Sequence, residues 1–151
     1  MGAGTQKIES IISDIFPKAK ISRLDTDVSQ NSNNLKEILQ SFYDGKTDIL
    51  IGTQMIAKGL DFPNATLVGI INADIGLSIP DFRSEERIFQ LLYQASGRSG
   101  RGANPGEVLI QTFQSNNPVI EYAIELKLKS YYNLILKERK ELKSPPYSWI
   151  A

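Results

Sequence analysis

The sequence contains no cysteine and no histidine, and this absence removes several kinds of chemistry. Disulfide bonds, thiolate zinc sites, thiol nucleophiles and imidazole general bases each require one of these two residues. Carboxylates, hydroxyls, lysines and arginines are the side chains that remain for catalysis or binding. We predict no metal site within the chain.

The chain also lacks an excess of charge of either sign and any long apolar run. Lysine plus arginine equals aspartate plus glutamate at 17 each, so the net charge provides no long-range attraction for nucleic acid or anionic lipid. Contacts with nucleic acid must therefore be local. No apolar stretch approaches the roughly 20 residues that cross a bilayer, and the N-terminus is too polar for a secretory signal. We expect a cytoplasmic protein with no membrane partner.

What the sequence does contain is an alternation of helical and strand patterns along 151 residues, a length typical of one domain. Apolar residues at helical spacing predict helices near residues 8–16, 35–43, 83–96 and 120–142. Short runs rich in β-formers predict strands at 20–24, 48–52, 66–72 and 108–113. The segment 53–59 is predicted to be a loop with a short helix, and the polar segment Ser29 to Asn34 a mobile loop.

Helix-ending residues separate these segments and support the predicted boundaries. Pro17 stops the first helix, Gly45 closes the second, and the last ends at Pro145-Pro146. Gly97 and Gly100 are expected to break the third. Strands alternating with helices predict an α/β fold, a three-layer sandwich around a mostly parallel sheet. Binding loops in such folds gather at the carboxyl ends of the strands.

The segment from Gln94 to Gly102 contains two glycine-arginine pairs, which place Arg98 and Arg101 at the predicted end of a helix. The glycines let the backbone approach a ligand closely, and each planar guanidinium can bind a phosphate through two hydrogen bonds. The alternative is a glycine-rich helix end followed by solvated arginines. The segment alone does not decide between them.

The segment from Gly52 to Pro63 follows a predicted buried strand and begins with Thr53. A hydroxyl and free backbone amides at such a place can bind a phosphate. The segment also fits a turn in which Thr53 caps a helix, Gly59 takes a left-handed conformation and Asp61 accepts from neighbouring amides. Taken alone, it favours the turn.

Together and in this order, the two segments resemble motifs V and VI of superfamily 2 helicases, whose second RecA-like lobe ends in Gln-x-x-Gly-Arg-x-Gly-Arg. Further similarity to the PriA family of replication restart helicases, also called primosomal protein N′ or replication factor Y, lies at Leu67-Val68-Gly69, Ala73-Asp74, Pro80-Asp81-Phe82-Arg83 and Glu86-Arg87. It covers about Gly4 to Phe113 and resumes at Pro145-Pro146-Tyr147.

The resemblance implies that residues 1–143 form the second RecA-like lobe of an ATP-dependent 3′–5′ DNA helicase of replication restart. Residues 144–151 would then be the truncated start of the following domain or a flexible tail. By the same resemblance, the DNA contacts are assigned to Thr53, Gln54 and Lys58. The nucleotide-binding residues are Gly59, Asp61, Gln94, Arg98 and Arg101, of which the two arginines act as catalytic arginine fingers toward the γ-phosphate.

Two parts of a complete helicase have no counterpart in this sequence. It contains no G-x-x-x-x-G-K-[ST] loop for phosphates and no Asp-Glu pair after an apolar strand for magnesium. ATP and Mg²⁺ would be held mainly by the first, N-terminal lobe of the same protein, and the isolated chain is expected to be inactive. Zinc is expected only in an upstream segment. Single-stranded and forked DNA, primosome proteins and single-strand binding protein are partners implied by the resemblance.

Two other functions remain open on the sequence. Motifs V and VI also occur in RecG-like translocases and RNA helicases, so the chain fits a second lobe of either. A standalone α/β module that binds a nucleotide or another phosphate through its glycine-arginine turn is the third possibility. Micromolar ATP binding by the chain alone would favour this module.

Several other features favour a structural role. Tyr131 and Tyr132 lie on a predicted amphipathic helix, where aromatic residues more often belong to the core or its rim than stack on bases. Residues 137–143 alternate in charge and are predicted to form a solvated helical face. For the segment from Pro80 to Arg83, two interpretations stand equally: a loop that buries Phe82 and pairs Asp81 with a nearby arginine, or a DNA contact.

Overall fold

The computed structural model describes residues 3–25, 32–53, 62, 64–79, 81, 83–98 and 106–148, with the backbone alone at 3, 32 and 98. In chain order its elements are α1 (Ala3–Ile15), β1 (Ile21–Leu24), α2 (Ser32–Tyr43), β2 (Ile49–Gly52), β3 (Leu67–Ile70), α3 (Asp74–Leu77), α4 (Ser84–Arg98), β4 (Glu107–Ile110), α5 (Pro118–Ile124) and α6 (Leu128–Glu141). Strand β1 pairs with β2 and β3 with β4, both in parallel. The predicted α/β alternation and parallel pairing are confirmed.

The chain divides into two compact units, residues 1–64 and 65–151. In the first unit, α1 packs against both strands and α2 against β1, which buries Leu24 and Ile51. The buried Thr47 hydroxyl lies 3.1 Å from that of Ser22 on β1 and 2.9 Å from that of Ser41 on α2. A buried hydroxyl that is hydrogen-bonded on two sides has lost little by leaving water. These three hydroxyls therefore join α2 to the sheet with little cost of desolvation.

The core of the second unit is built on one face of α4. Ile88, Phe89, Leu92 and Ala95 are all buried there, at the i, i+1, i+4 and i+7 positions of an amphipathic helix. The ring of Phe89 stacks on that of Tyr131 from α6, with centroids 3.6 Å apart and planes 5° from parallel. The expectation that Tyr131 belongs to the core is confirmed, since only 1% of it is exposed.

Three helices end in the same hydrogen-bond pattern, the Schellman motif. After α2, α5 and α6, the amides of two successive residues donate to carbonyls near the end of the helix, and the first of these two residues has a positive φ. That residue is Gly45 after α2, as the sequence predicts, but Leu126 after α5 and Lys143 after α6. Residues other than glycine rarely adopt this left-handed backbone conformation, since it brings Cβ close to a carbonyl oxygen.

The structure corrects three boundaries drawn from the sequence and adds one helix. The long closing helix predicted near residues 120–142 is wrong, because the Schellman turn at Leu126 divides it into α5 and α6. Gly97 does not break α4, which continues through it to Arg98. The loop predicted for Ser29 to Asn34 is wrong at its end, where α2 begins at Ser32; residues 29–31 lie outside the described residues. The short helix α3 was not predicted.

The charged segment 137–143 is only partly solvated. Arg139 exposes 12% of its side chain and pairs with Glu86 of α4 at 2.8 Å, so the prediction of a solvated face is wrong at this position. Across the described ranges, no helix combines the length and the apolar character that a bilayer span requires.

Candidate functional site

Thr53 follows directly on β2, and its side chain is exposed. Strand β1 pairs with β2 in a register that sets Leu24 opposite Gly52, so Asp25 and Thr53 both lie just past the carboxyl ends of neighbouring strands. Ligands of parallel α/β sheets bind at this edge. The structure therefore leaves the Thr53 hydroxyl accessible at the edge where motif V is expected to contact DNA. The other residues assigned to this motif, Gln54, Lys58, Gly59 and Asp61, lie outside the described residues.

The arginine on β1, the strand beside β2, forms ion pairs with carboxylates of the first unit. Arg23 of β1 contacts Glu9 of α1 at 2.8 Å and also forms an ion pair with Asp25. Two carboxylates around one guanidinium leave no net positive charge there for a phosphate.

Motif VI begins on helix α4, whose buried face fixes the helix to the core. Gln94 is exposed on α4, while Leu92 and Ala95 beside it are buried. Arg98 is the last residue of the helix, one turn beyond Gln94. Helix α4 therefore carries Gln94 and ends at Arg98, the first of the two arginines that are expected to face the nucleotide. The side chain of Arg98 and all of Arg101 lie outside what the structure describes.

The beginning of α4 is held by Asp81. One carboxylate oxygen of Asp81 accepts from the amide of Arg83 at 2.9 Å, and the other lies 3.6 Å from a guanidinium nitrogen of Arg87. Of the two alternatives for this segment, the structure therefore shows the pairing of Asp81 with a nearby arginine. Pro80 and Phe82 lie outside the described residues.

Asp74 connects the two strand ends of the second unit, a role that sequence reasoning missed. Its carboxylate accepts from the Thr112 hydroxyl at 2.8 Å and from the Phe113 amide at 2.9 Å. The Phe113 hydrogen bond, then that of Thr112, lowers the pKa of Asp74 below its ordinary value. The carboxylate of Asp74 thus fixes the loop after β4 to the start of α3. The sequence offered one signal, the family-like Ala73-Asp74 pair, without indicating its task.

We expect acid to weaken the second unit through Asp74. A carboxylate with a lowered folded-state pKa stabilises the fold above its unfolded pKa of about 3.9, and this stability is lost as the pH falls through the folded-state value. Asp74→Asn should therefore be less stable than the wild type near neutral pH, and the difference should shrink toward about pH 3. Urea unfolding over this pH series measures it.

Asp14→Asn, which removes one exposed aspartate from α1, is the control for the loss of a charge. Equal stability of wild type and Asp74→Asn at neutral pH would show that the tether contributes nothing.

Residues 3–103 of this chain match the family described as the helicase conserved C-terminal domain. The chain belongs to this family. The match includes Thr53, helix α4 and the arginine pair, so the two segments that suggested motifs V and VI lie inside the helicase C-terminal domain.

The relatives of this chain include the replication restart protein PriA of several bacteria. The chain is 45% identical over 150 residues to the replication restart protein PriA of Bacillus subtilis strain 168, covering 99% of this chain and 19% of that protein. It is 46% identical over 147 residues to the replication restart protein PriA of Chlamydia muridarum, covering 97% and 20%. The resemblance to the PriA family is confirmed, and the chain spans about a fifth of the length of these relatives.

A solved structure supports the fold. The C-terminal domain of the DEAD-box protein Dbp5 superposes with a TM-score of 0.52 at 21% identity, over 83% of this chain and 67% of that one. Similarity at this low identity concerns the fold alone. The predicted α/β fold is confirmed.

Proposed function

We propose that this chain is the second motor lobe of an ATP-dependent DNA helicase of replication restart, and that it acts with a first RecA-like lobe. The observation that carries this proposal is the similarity to PriA proteins over nearly the whole chain. The exposed Thr53 at a strand end and the rigid helix leading to Arg98 support it. Residues 1–143 would form the lobe, and 144–151 the start of a following domain or a tail.

Each lobe has its own share of the chemistry in this proposal. Thr53, with Gln54 and Lys58, contacts the DNA backbone. Gly59, Asp61 and Gln94 face the nucleotide, and Arg98 and Arg101 stabilise the charge that develops on the γ-phosphate. The first lobe holds ATP and Mg²⁺, which accords with the absence of a phosphate-binding loop from the sequence.

The proposed partners follow from the same similarity. They are single-stranded and forked DNA, the first lobe, and the primosome and single-strand binding proteins of a bacterial cytoplasm. Domain closure around ATP would bring the arginines of this lobe to the nucleotide, and reopening would shift the lobe along DNA.

We expect the isolated chain to hydrolyse no ATP, because the residues for phosphate and magnesium binding belong to the first lobe. A coupled assay on purified chain, with and without single-stranded DNA, measures this. Turnover at an enzyme-like rate of about 1 per second or more would contradict the two-lobe proposal. Micromolar ATP binding without turnover would favour a standalone nucleotide-binding module instead.

We expect the isolated chain to bind single-stranded DNA weakly, with strong salt dependence and no sequence preference, because the net charge is zero and the contacts are few. Thr53→Val keeps the side-chain shape, removes the hydroxyl and should weaken binding by roughly five- to tenfold, the loss of about one hydrogen bond. Fluorescence anisotropy over a salt series measures this.

Thr66→Val, which removes an exposed hydroxyl from the second unit, is the matched control and should bind like the wild type. Tight binding that persists at high salt would assign DNA binding to another surface.

A further inference from the structure

One ion pair joins the beginning of α4 to the end of α6. Arg139 contacts Glu86 at 2.8 Å, and the two side chains are 12% and 25% exposed. Solvent and salt screen this largely buried ion pair less than they screen a pair at the surface. Removal of one partner leaves the other charge poorly solvated. The contact therefore fixes the first turn of α4 against the last turns of α6.

The same arginine also holds the segment that follows α6. The carbonyl of Arg139 accepts from the Ser144 amide at 2.8 Å within the Schellman turn. One guanidinium nitrogen of Arg139 donates to the carbonyl of Pro145 over a long 3.4 Å. The Tyr147 amide then bonds to the Ser144 carbonyl at 2.9 Å. Residues 144–148 thus turn back onto α6, and Arg139 is the residue they share with α4.

The surroundings of this contact are acidic. Burial, and then the charge of Glu138, raises the pKa of Glu85, the neighbour of Glu86 on α4. Burial, and then the charges of Glu86 and Glu85, raises the pKa of the Tyr131 hydroxyl. Arg139 therefore offsets a cluster of carboxylates at this junction. A neutral side chain in its place would leave the acidic charges of α4 and α6 to repel each other.

We propose that Arg139 is a positioning residue that couples the segment 144–148 to helix α4, and through α4 to the arginine at its end. The inference depends on the function proposed above. Helix α4 has 15 residues and is about 22 Å long, and its buried residues run from Ser84 to Ala95. A shift at its first turn therefore moves Arg98 as well. The domain that follows this lobe in the complete helicase would thereby influence how the arginines meet the nucleotide.

Three substitutions in the complete helicase test the coupling. Arg139→Lys keeps a charge for Glu86 but lacks the planar fork that reaches Pro145 as well. Glu86→Gln weakens the contact with α4 and leaves the contact with Pro145. Glu85→Gln removes the carboxylate of the adjacent residue, which is not among the described ion-pair partners of Arg139. We expect the first two to lower kcat for DNA-stimulated ATP hydrolysis by about two- to thirtyfold, the range of coupling effects between sites, with KM for ATP nearly unchanged.

Glu85→Gln should keep the wild-type kcat. Thermal melting of each variant accompanies the kinetics, and amide hydrogen exchange at Tyr147 is measured in the chain itself, where Arg139→Lys should accelerate it. If Arg139→Lys and Glu86→Gln fold and keep the wild-type kcat, the coupling is refuted while the proposed function stands. A wild-type complete protein without DNA-stimulated ATPase would refute the proposed function. In that case unchanged exchange at Tyr147 in Arg139→Lys would refute the contact with the segment 144–148 independently.

Discussion

Arg98→Ala and Arg101→Ala should each lower the DNA-stimulated ATPase of the complete helicase by about a thousandfold or more. The expected cause is the loss of a fixed positive charge beside the γ-phosphate as charge develops on it in the transition state. ATP binding should persist, since the first lobe holds most of the nucleotide. Lysine at either position should restore little, because it keeps the charge without the two-pronged geometry. Single-turnover kinetics and nucleotide binding measure the two effects separately.

Stability separates this catalytic role from a structural one. We expect Arg98 and Arg101 to lie at the surface, where an arginine contributes about 0 to 1 kcal/mol to folding, so both alanine variants should melt close to the wild type. Lys129→Ala, which removes an exposed positive charge from α6, is the control and should keep both the ATPase and the melting temperature. If an alanine variant unfolds the chain, yet the folded complete helicase carrying it has normal ATPase, that arginine is structural.

Gly76→Ala should destabilise the second unit by about 1 to 3 kcal/mol, the usual cost of overpacking a core. A Cβ at residue 76 would lie 2.1 Å from Cδ1 and 2.2 Å from Cγ1 of Ile88, which is buried on α4. No contact this short is tolerated, so α3 or the Ile88 side chain must move. Chemical denaturation of the isolated chain measures the loss.

The chain provides a control and a rescue for this substitution. Gly97→Ala also replaces a helical glycine, but the nearest atom to its Cβ within the described residues is 3.9 Å away, so it should be stabilising by about 0.5 to 1 kcal/mol. Ile88→Ala removes both clashing atoms, and the double variant Gly76→Ala/Ile88→Ala should lose less than the sum of the single losses. Strict additivity of the two losses would show that the contact is not the cause.

Local periodicity predicted the helices and strands well, and it failed where a single backbone conformation decides the structure. Ile124 and Leu128 continue the apolar spacing across the end of α5, so nothing in the pattern marks the turn between them. Leu126 gives no warning either, because leucine is not a residue expected at positive φ. At Gly97 the sequence predicted a break, but the helix continues through this residue. The packing of α4 against the core outweighs the weak helical preference of one glycine.

Contacts between residues distant in sequence left little trace in the pattern. The charge run around Arg139 looks like a solvated face, since its partner Glu86 lies on another helix. Asp74 stood within a family-like pair, but its acceptor role depends on Thr112 and Phe113 after β4. The candidate site was predicted by motif resemblance, which names residue types in order. Among the predicted site residues, the structure describes the side chains of Thr53 and Gln94, and both are exposed.

The helix ends at Leu126 and Lys143 also bear on engineering. Both residues hold a left-handed backbone that costs an L-amino acid roughly 1 to 2 kcal/mol, whereas Gly45 holds the same conformation without that strain. Relief of this backbone strain would therefore raise the stability of the chain without any change to its core contacts. Thermostabilised versions of this domain for crystallisation or single-molecule work could draw on these two turns and leave the helix that carries the arginines unaltered.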